Sequence, residues 1–552
     1  MYLRRWTVRL LFLFVFAGAF LSYQTLASAQ LPQGNGLKIL RTFVHRPFRS
    51  VCDLQLGHLA ACDAKVVTES DGATPLASSA PLPSSLSPLA FHTAYQIPCM
   101  PGGSVSGSCP SPLTFTPIVA IVDAYHTPNI ENDLNVYSNY FGIPSCTKAN
   151  GCLRVVNENG GNSLPRLTNS GWALETSLDV EVAHAICQTC QILLVEASSN
   201  SYSHLATAVA TAARLGAVAI SNSYGSSEWS GQSAYDSYYR QPGVAVTVSS
   251  GDGGYGPSYP AAANGVIAVG GTTLQLFGDL SYAGESVWSG TGSGCSQYES
   301  ANVWQSALPN WAPTYCGSRR GISDISADAD PNSGAAVYDS TPYSGQSGWW
   351  QVGGTSLSSP IIASIFALAN NSNSNPAQIL YANAGAFHDV TDGSNGSCAG
   401  IMCMAGAGYD GPTGLGTPNG ISGFIQTGQS ETPTPTSTNT PTPIFTPSAT
   451  PMPTLTPSGD NIAPSVNITS PSDGARVSHN HTYTIKATAS DNIAVKQVNF
   501  SVDGQLLSSD TSSPYKASWR VPAPRGVVYQ ISATAVDTSG NTATATISVT
   551  SR

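Results

Sequence analysis

Five short runs of apolar, largely β-branched residues recur through the first half of the chain, and they constrain its fold more than any other feature. Such runs are typical of strands buried on both faces, and helical patterns, such as residues 205–215, lie between several of them. The alternation predicts an α/β fold, in which a parallel sheet carries helices on both faces and binds ligands at the carboxyl ends of its strands. The predicted strands are residues 118–123, 191–196, 217–221, 244–249 and 265–269.

A Thr/Pro-rich stretch at residues 428–460 divides the chain of 552 residues. Its repeats of threonine and proline predict an extended linker that has no core of its own. Residues 461–552 then alternate apolar and polar side chains in several short runs, and Asp503-Gly504 is typical of a hairpin turn. We therefore predict a C-terminal all-β sandwich, and this part of the chain resembles bacterial immunoglobulin-like modules.

The first 29 residues have the pattern of a secretory signal peptide. Three arginines precede an apolar run at residues 10–20, and Ala27-Ser28-Ala29 is typical of a cleavage site. The apolar run is too short for a membrane span, and no later segment resembles one, so we expect a secreted, extracellular protein. We predict that residues 30–85 form a short pro-segment or N-terminal arm and that residues 86–427 form a compact domain.

The charge balance argues against nucleic acid as a partner. The formal net charge is −10, and loss of the three leader arginines leaves about −13 for the mature chain. Only 10% of the residues are charged, so the surface depends little on ion pairs and loses little when carboxylates are protonated. This composition suits an acidic exterior.

The twelve cysteines fall into six close sequence pairs, which in an exported chain predict six local disulfides. Cys187 and Cys190 also have the spacing of a redox motif. Nothing around them resembles a thioredoxin unit, so we favour a structural disulfide there as well. The pairs are Cys52/Cys62, Cys99/Cys109, Cys146/Cys152, Cys187/Cys190, Cys295/Cys316 and Cys398/Cys403.

Residues 353–369 have the pattern that a serine nucleophile requires. Two glycines are followed by Thr355 and Ser356 and then by a long apolar run of helical character. Glycine allows a sharp turn and the close approach of a substrate, and the free N–H groups of a helix N-terminus stabilise an oxyanion beside the serine. The alternative is a glycine turn followed by an ordinary Ser/Thr helix cap.

Two acidic residues lie one turn apart in a predicted helix at residues 172–186. Glu175 and Asp179 fall within the apolar arc of this helix. Acids on an inward face are costly unless they have a function, and two placed together share protons, which raises the pKa of one of them. The alternative is a solvated acidic rim. Three other polar residues are predicted to point away from the arc: Thr176, Ser177 and His184.

Several segments resemble the sedolisin family, the serine-carboxyl peptidases that share the subtilisin fold. Residues 354–360 are similar to the family's nucleophile motif, residues 221–225 to its substrate-cleft strand end, and residues 324–331 to the segment leading to the serine. The resemblance covers residues 86–427 and implies a subtilisin-like parallel sheet.

The resemblance also implies a catalytic set. Ser356 matches the nucleophile, and Glu175 and Asp179 match the family's paired acids, with Glu175 as the general base. Residues 250–252 are similar to the segment that carries the oxyanion-hole aspartate, here Asp252. The implied function is a secreted serine endopeptidase that hydrolyses proteins or peptides at acidic pH.

A calcium site is implied by the same resemblance. Two carboxylates and several carbonyls suit a hard cation, so we expect one structural Ca²⁺. The alternative is an Asp/Gly-rich surface loop without an ion. The matching positions are Asp389, Val390, Gly406, Gly408 and Asp410.

The sequence leaves two other functions open. Asp123 resembles the strand-borne aspartate of ordinary subtilisin-like enzymes, but His126 is only three residues away and the required histidine motif is absent. The other alternative is a non-catalytic secreted binding protein on a peptidase fold. We expect a monomer without a membrane span, in which the C-terminal module attaches to polysaccharide or a cell surface.

Overall fold

In the computed structural model the described residues form two compact units, one that ends at residue 426 and one that begins at residue 464. The predicted leader at residues 1–29 and the predicted linker at residues 428–460 lie outside the residues that the structure describes. The described residues are 38–53, 59–98, 116–369, 375–426, 464–491, 495–502, 505–513, 515–523, 525–537 and 541–552.

The first unit alternates strands and helices. Its described α-helices are α1 (Pro88–Ala94), α2 (Ile130–Phe141), α3 (Ser170–Ile186), α4 (Tyr202–Arg214), α5 (Asp236–Tyr239), α6 (Val303–Ser306), α7 (Thr355–Ala369) and α8 (Pro376–Ala382). Short 3₁₀ turns lie at Gln232–Tyr235, Ala312–Thr314, Ala384–Ala386 and Ser422–Phe424. Its described strands are β1 (Phe48–Ser50), β2 (Ala61–Cys62), β3 (Lys65–Val67), β4 (Ile118–Ala124), β5 (Leu153–Asn157), β6 (Gln191–Ala197), β7 (Ala219–Asn222), β8 (Tyr224–Ser227), β9 (Ala245–Ser249), β10 (Ser258–Tyr259), β11 (Ile267–Leu276), β12 (Tyr282–Val287), β13 (Gly294–Ser300), β14 (Arg319–Ile322), β15 (Ile325–Asp328), β16 (Ala335–Tyr343) and β17 (Gln346–Gly353).

A largely parallel sheet forms the centre of the first unit. Its strand order is β12-β11-β9-β7-β4-β6-β5, and β15 pairs with β11. Every pairing in this sheet is parallel except that between β11 and β12. Strand residues such as Val119, Ile121 and Leu193 are fully buried, as expected where helices cover the sheet. The predicted parallel α/β fold is confirmed.

Helices α3 and α7 lie at the core and position the site. They pack against each other, and α3 also contacts β4 of the central sheet and β16 of a second sheet. The second sheet is antiparallel and has the order β1-β3-β17-β16. Because α3 lies between the two sheets, it is buried on every side from Gly171 to Ile186.

The burial of α3 corrects the prediction of a one-faced helix. The side chains of Thr176, Ser177 and His184, which were expected to point away from the apolar arc, are at most 1% exposed. The solvated acidic rim is also wrong, because Glu175 and Asp179 are fully buried. The sequence pattern describes one face of the helix, whereas the second sheet covers the other.

The described part of residues 30–85 belongs to the body of the first unit. β1 and β3 are strands of the second sheet, and β2 pairs with β8 in a small antiparallel sheet of order β10-β8-β2. Ala60, Ala64 and Val66 are at most 1% exposed. The segment predicted to be a pro-segment or arm therefore contributes to the core and reaches the carboxyl edge of the central sheet.

Five of the six predicted disulfides are confirmed: Cys52–Cys62, Cys146–Cys152, Cys187–Cys190, Cys295–Cys316 and Cys398–Cys403. The pair Cys99/Cys109 lies outside the described residues. Cys146 and Cys152 lie beside His184 in a cluster that resembles a metal site. Both sulfurs are bonded to each other, so this cluster does not offer thiolate ligands.

The second unit is an all-β sandwich, as predicted. A three-stranded sheet of order β18-β20-β23 and a five-stranded sheet of order β19-β25-β24-β21-β22 contribute to one core. In that core the rings of Trp519 and Tyr529 meet edge to face at 5.3 Å. The strands are β18 (Ser465–Ser470), β19 (Arg476–Val477), β20 (Thr482–Ser490), β21 (Val495–Val502), β22 (Gln505–Asp510), β23 (Tyr515–Arg520), β24 (Val528–Asp537) and β25 (Thr542–Ser551).

Candidate active site

Ser356 lies in the first turn of α7, directly after β17. Between strand and helix the chain turns at Gly354, whose φ of 96° is a conformation that other residues rarely adopt. The Ser356 side chain is fully buried, and its Oγ donates to the carbonyl of Ser223 at 3.3 Å. Pro360 has no N–H to donate to the carbonyl of Ser356, and the Ser223 hydroxyl lies 3.3 Å from that oxygen instead.

The carboxyl groups of Glu175 and Asp179 form a buried cluster with Asp123. Burial raises the pKa of Glu175 well above its usual range, and Asp179 and Asp123 raise it further, while the Ser356 hydroxyl opposes the shift. Burial, followed by Asp123, likewise raises the pKa of Asp179. The Ser223 hydroxyl donates to Asp179 Oδ1 at 2.9 Å. The carboxyl groups of the three acids therefore stay largely protonated at acidic pH and up to about neutral pH.

Asp252 faces the start of α7 from the loop after β9. Its Oδ1 accepts from the Thr355 N–H at 2.8 Å and from the Thr355 hydroxyl at 2.9 Å. Among the described residues its Oδ2 has no hydrogen-bond partner, although Lys65 Nζ lies 3.9 Å away. Burial raises the pKa of Asp252 to about 6, and Lys65 opposes the shift. Below that pH, Oδ2 carries a proton that it can donate.

The histidines do not complete a subtilisin-like triad in the described part of the chain. His126 Nδ1 pairs with Glu196 Oε2 at 2.7 Å, and His184 Nε2 lies 2.7 Å from the carbonyl of Pro144. No described histidine makes a hydrogen bond to Asp123 or Ser356. Asp123 instead belongs to the acid cluster through its charge interactions with Glu175 and Asp179.

Two family matches cover these units. Residues 168–384 match the subtilase family, in a range that contains Glu175, Asp179, Asp252 and Ser356, and residues 464–549 match the bacterial Ig domain. Among curated relatives, sedolisin of Pseudomonas sp. (strain 101) is 36% identical over 207 residues, or 32% of this chain and 33% of the relative. Kumamolisin of Bacillus sp. (strain MN-32) is 30% identical over 303 residues, or 48% of this chain and 53% of the relative.

A solved structure matches the fold of the first unit. Pseudomonas sedolisin, a serine-carboxyl proteinase complexed with two molecules of pseudo-iodotyrostatin, superposes with a TM-score of 0.50 and 26% identity. The match covers 61% of this chain and 95% of that structure. The first unit is similar in fold to this serine-carboxyl proteinase. The chain spans about a third to a half of the length of the two curated relatives.

The candidate site contains two further residues that sequence reasoning missed. Asp63 follows β2, and its Oδ2 accepts from the Ser249 hydroxyl at 2.6 Å. Burial, and then the nearby Asp252, raise the pKa of Asp63 to about 8. Lys65, two residues on, places its ammonium group beside Asp252. Neither residue carries a local sequence signal, because their role depends on where β2 and β3 pack.

The predicted calcium loop brings its two acids to one place. Asp389 Oδ2 accepts from the Gly408 N–H at 2.9 Å, and Asp410 Oδ2 accepts from the Gly406 N–H at 3.0 Å. Burial raises the pKa of Asp410 to about 7, and the charge of Asp389 adds to the shift. Two neighbouring carboxyls in a glycine-rich loop are a donor set that fits a hard cation. Val390 lies in the same segment and is 1% exposed.

The acid cluster predicts that the domain is more stable at acidic than at neutral pH. Burial raises the pKa of Asp123 to about 7, against about 3.9 in an unfolded chain. The folded state then binds more protons, so the stabilisation is complete below about pH 4 and is lost as the pH rises through 7. Since each pKa unit corresponds to about 1.4 kcal/mol, we expect the melting temperature to fall by several degrees between pH 4 and 8.

Thermal unfolding at constant calcium, measured by circular dichroism, tests this dependence. Asp123→Asn should flatten the slope, whereas the exposed Glu69→Gln should leave it unchanged. A melting temperature that rises from pH 4 to pH 8 in the unmodified protein contradicts the prediction.

Proposed function

We propose that this protein is a secreted serine endopeptidase that acts at acidic pH, with Ser356 as its nucleophile. The observation that carries the proposal is the convergence of three elements on the start of α7. These are the Ser356 hydroxyl, the buried Glu175–Asp179 pair and the unpartnered Oδ2 of Asp252. A buried serine beside acids, and without a histidine partner in the described chain, favours a carboxyl group as the base.

Peptide hydrolysis would begin with attack of Ser356 Oγ on the substrate carbonyl carbon. Glu175 takes the hydroxyl proton and later gives it to the leaving amine. Asp179 shares its proton with Glu175, and the Ser223 hydroxyl at 2.9 Å fixes the position of Asp179. Water entering with an open cleft would lower the pKa of Glu175, because burial is the main cause of its shift.

The tetrahedral oxyanion would be stabilised by two donors. The Ser356 N–H lies at the helix N-terminus, where backbone donors have no partner within the helix and the helix dipole favours negative charge; here it donates to the carbonyl of Asp63 at 3.4 Å. The second donor is protonated Asp252 Oδ2, which two hydrogen bonds from Thr355 to the other oxygen hold in place. Loss of one such donor typically lowers kcat by about 10²–10³-fold.

Secretion is part of the proposal. The five described disulfides suit an oxidising compartment, and residues 1–29 have the pattern of an export signal. Within the described residues, no helix is both long and apolar enough to cross a membrane. The substrates are proteins or peptides, and the net charge of −10 makes nucleic acid an unsuitable partner.

The pH dependence of peptide hydrolysis tests the mechanism. In the open, water-filled cleft, where burial no longer raises its pKa, the Glu175–Asp179 pair should lose its first proton at acidic pH, and activity should rise with that step. Activity should fall as Asp252 ionises near pH 6. Asp252→Asn keeps a donor that does not titrate, so the alkaline limb should move to higher pH at reduced kcat. Glu175→Gln and Ser356→Ala should abolish turnover at every pH. The measurement is kcat/KM for a soluble peptide from pH 2 to 8.

Glu181→Gln is a matched control, because Glu181 is buried on the same helix but accepts from the Tyr338 N–H rather than facing Ser356. Its pH profile should keep both limbs. A plateau above neutrality that depends on a histidine would instead support a subtilisin-like enzyme using Asp123. No turnover at any pH by calcium-loaded protein would support a binding protein on a peptidase fold.

We also propose that the loop of Asp389 and Asp410 binds one structural Ca²⁺. The two carboxylates, with the backbone carbonyls of Val390, Gly406 and Gly408, would supply oxygen ligands of the kind that calcium prefers. The ion would offset the repulsion between the two acids and stabilise the folded state by mass action.

Chelation near neutral pH should therefore lower the melting temperature by several degrees, since a ligand at a hundred times its Kd contributes about 2.7 kcal/mol. Asp410→Asn should remove this response to chelator, whereas Asp392→Asn, in an exposed part of the same region, should keep it. Differential scanning calorimetry with excess calcium, magnesium or chelator measures the effect. An unchanged melting temperature in chelator would refute the site.

The immunoglobulin-like unit would attach the enzyme to polysaccharide or to a cell surface. It has its own core, separate from that of the peptidase unit. A chain ending at Gln426 should therefore hydrolyse a soluble peptide at the full-length rate and lose adsorption to insoluble polysaccharide or cells. Pull-down with these materials and peptide assays compare the two chains. Equal adsorption by both would refute the attachment role.

A further inference from the structure

Two hydroxyl side chains donate to the buried acids of the candidate site. Ser223 lies between β7 and β8, and its hydroxyl is 2.9 Å from Asp179 Oδ1. Thr355 is the first residue of α7, and its hydroxyl is 2.9 Å from Asp252 Oδ1. All four side chains are largely or fully buried. In each pair only one carboxyl oxygen accepts, because Oδ2 of either acid has no hydrogen-bond partner among the described residues.

The Thr355 hydroxyl has one direction in which it can donate. Its oxygen accepts from the Gly251 N–H at 3.2 Å, so its single hydrogen points to Asp252 Oδ1. The Thr355 N–H donates to the same oxygen at 2.8 Å. When Asp252 is neutral, its proton therefore lies on Oδ2. That oxygen faces the start of α7, since a Cβ on Gly354 would lie 2.6 Å from it.

The Ser223 hydroxyl has one hydrogen and two acceptors within reach. Asp179 Oδ1 lies at 2.9 Å, whereas the carbonyl of Ser356 lies at 3.3 Å. A carboxylate is the stronger acceptor and is also the nearer one, so the hydrogen is directed to Asp179. A proton on Asp179 then lies on Oδ2, and the hydroxyl of one residue decides which oxygen of the acid is left for it.

The acids around Asp179 act against its ionisation, and Ser223 acts in favour of it. Burial raises the pKa of Asp179, the charge of Asp123 adds to the rise, and the Ser223 hydroxyl opposes both. Glu175, one turn earlier on α3, is the third acid that faces it. The Ser223 hydroxyl is thus the donor in this group that makes loss of a proton from the acid pair easier.

The surroundings of Asp252 contain one cation and one further acid. Burial raises the pKa of Asp252, while the ammonium group of Lys65 and both Thr355 donors lower it. Asp63 lies near enough for its charge to interact with that of Asp252. Loss of the Thr355 hydroxyl would leave Lys65 and Asp63 in place, so its effect on the titration of Asp252 can be measured separately.

We propose that Ser223 and Thr355 are positioning residues that place the two acid protons of the site. Each hydroxyl holds one carboxyl oxygen as an acceptor, so the proton of Asp179 is directed to Glu175 and the proton of Asp252 to the oxyanion. The inference rests on the proposed peptidase function. It adds two side chains that act through the acids, and it assigns one limit of the pH range to each of them.

The test compares pH profiles of kcat and kcat/KM for a soluble peptide. Ser223→Ala removes the donor from Asp179, so the acidic limb should move to higher pH by about one unit while the alkaline limb stays in place. Thr355→Val keeps the shape and the backbone donor but removes the hydroxyl. The alkaline limb should then move to higher pH by about one unit, although kcat at the optimum should fall about tenfold or more because the donating oxygen of Asp252 is less well fixed.

Four further variants complete the comparison. Thr355→Ser restores the hydroxyl and should restore both kcat and the alkaline limb. Ser223→Cys carries a weaker donor and should move the acidic limb less than Ser223→Ala does. Ser177→Ala removes a buried hydroxyl of α3 that has no hydrogen-bond partner in the described chain. Ser358→Ala removes one in the first turn of α7 that donates to backbone carbonyls. Both of these controls should keep both limbs.

The profiles separate these roles from the peptidase function itself. Turnover with unmoved limbs in Ser223→Ala and Thr355→Val overturns the positioning roles and leaves the peptidase function standing. The same follows if either variant moves both limbs together, if a control moves a limb equally, or if a variant with an unchanged melting temperature is inactive at every pH. Absence of turnover by the unmodified chain refutes the peptidase function, and the positioning roles with it.

Discussion

The structure depends on keeping two carboxyl groups in a helix that has no exposed face. An ionised carboxylate at such a place costs several kcal/mol, so the pKa values of Glu175 and Asp179 lie well above their usual range. The cost is tolerated because α3 packs against α7 and contacts a sheet on either side. The titration of these acids is thereby tied to the core packing, since any loosening around α3 admits water and changes their pKa values.

Much of the fold and of the candidate site follows from local patterns. Buried parallel strands consist of uninterrupted apolar runs, so β4, β6, β7 and β9 were predictable to within two residues. The start of β11 was also predictable, whereas its end at Leu276 lies seven residues beyond the prediction. Ser356 was predictable because a glycine turn directly before a helix lies within one short segment. The Glu175–Asp179 pair was predictable because two acids four residues apart lie on one face of a helix. The start of α7 at Thr355 agrees with that pattern.

The remainder depends on contacts between distant parts of the chain. The burial of His184 required the second sheet, which combines strands from the N-terminal segment with β16 and β17. Asp63 and Lys65 reach the site for the same reason, and nothing in residues 60–67 marks them as neighbours of Asp252. Amphipathic periodicity reports which face of an element is apolar, whereas it does not report what covers the opposite face.

The described disulfides all join cysteines between 3 and 21 residues apart. Each closes one small loop and contributes roughly 2–3 kcal/mol by restricting the unfolded chain. None of them joins segments that are far apart in sequence, so the central sheet is held by its backbone hydrogen bonds and by the hydrophobic core. Reduction of any one of these disulfides would thus free a single loop and leave the strand order of the sheets unchanged. Small disulfide-rich domains differ, because they unfold when one disulfide is reduced.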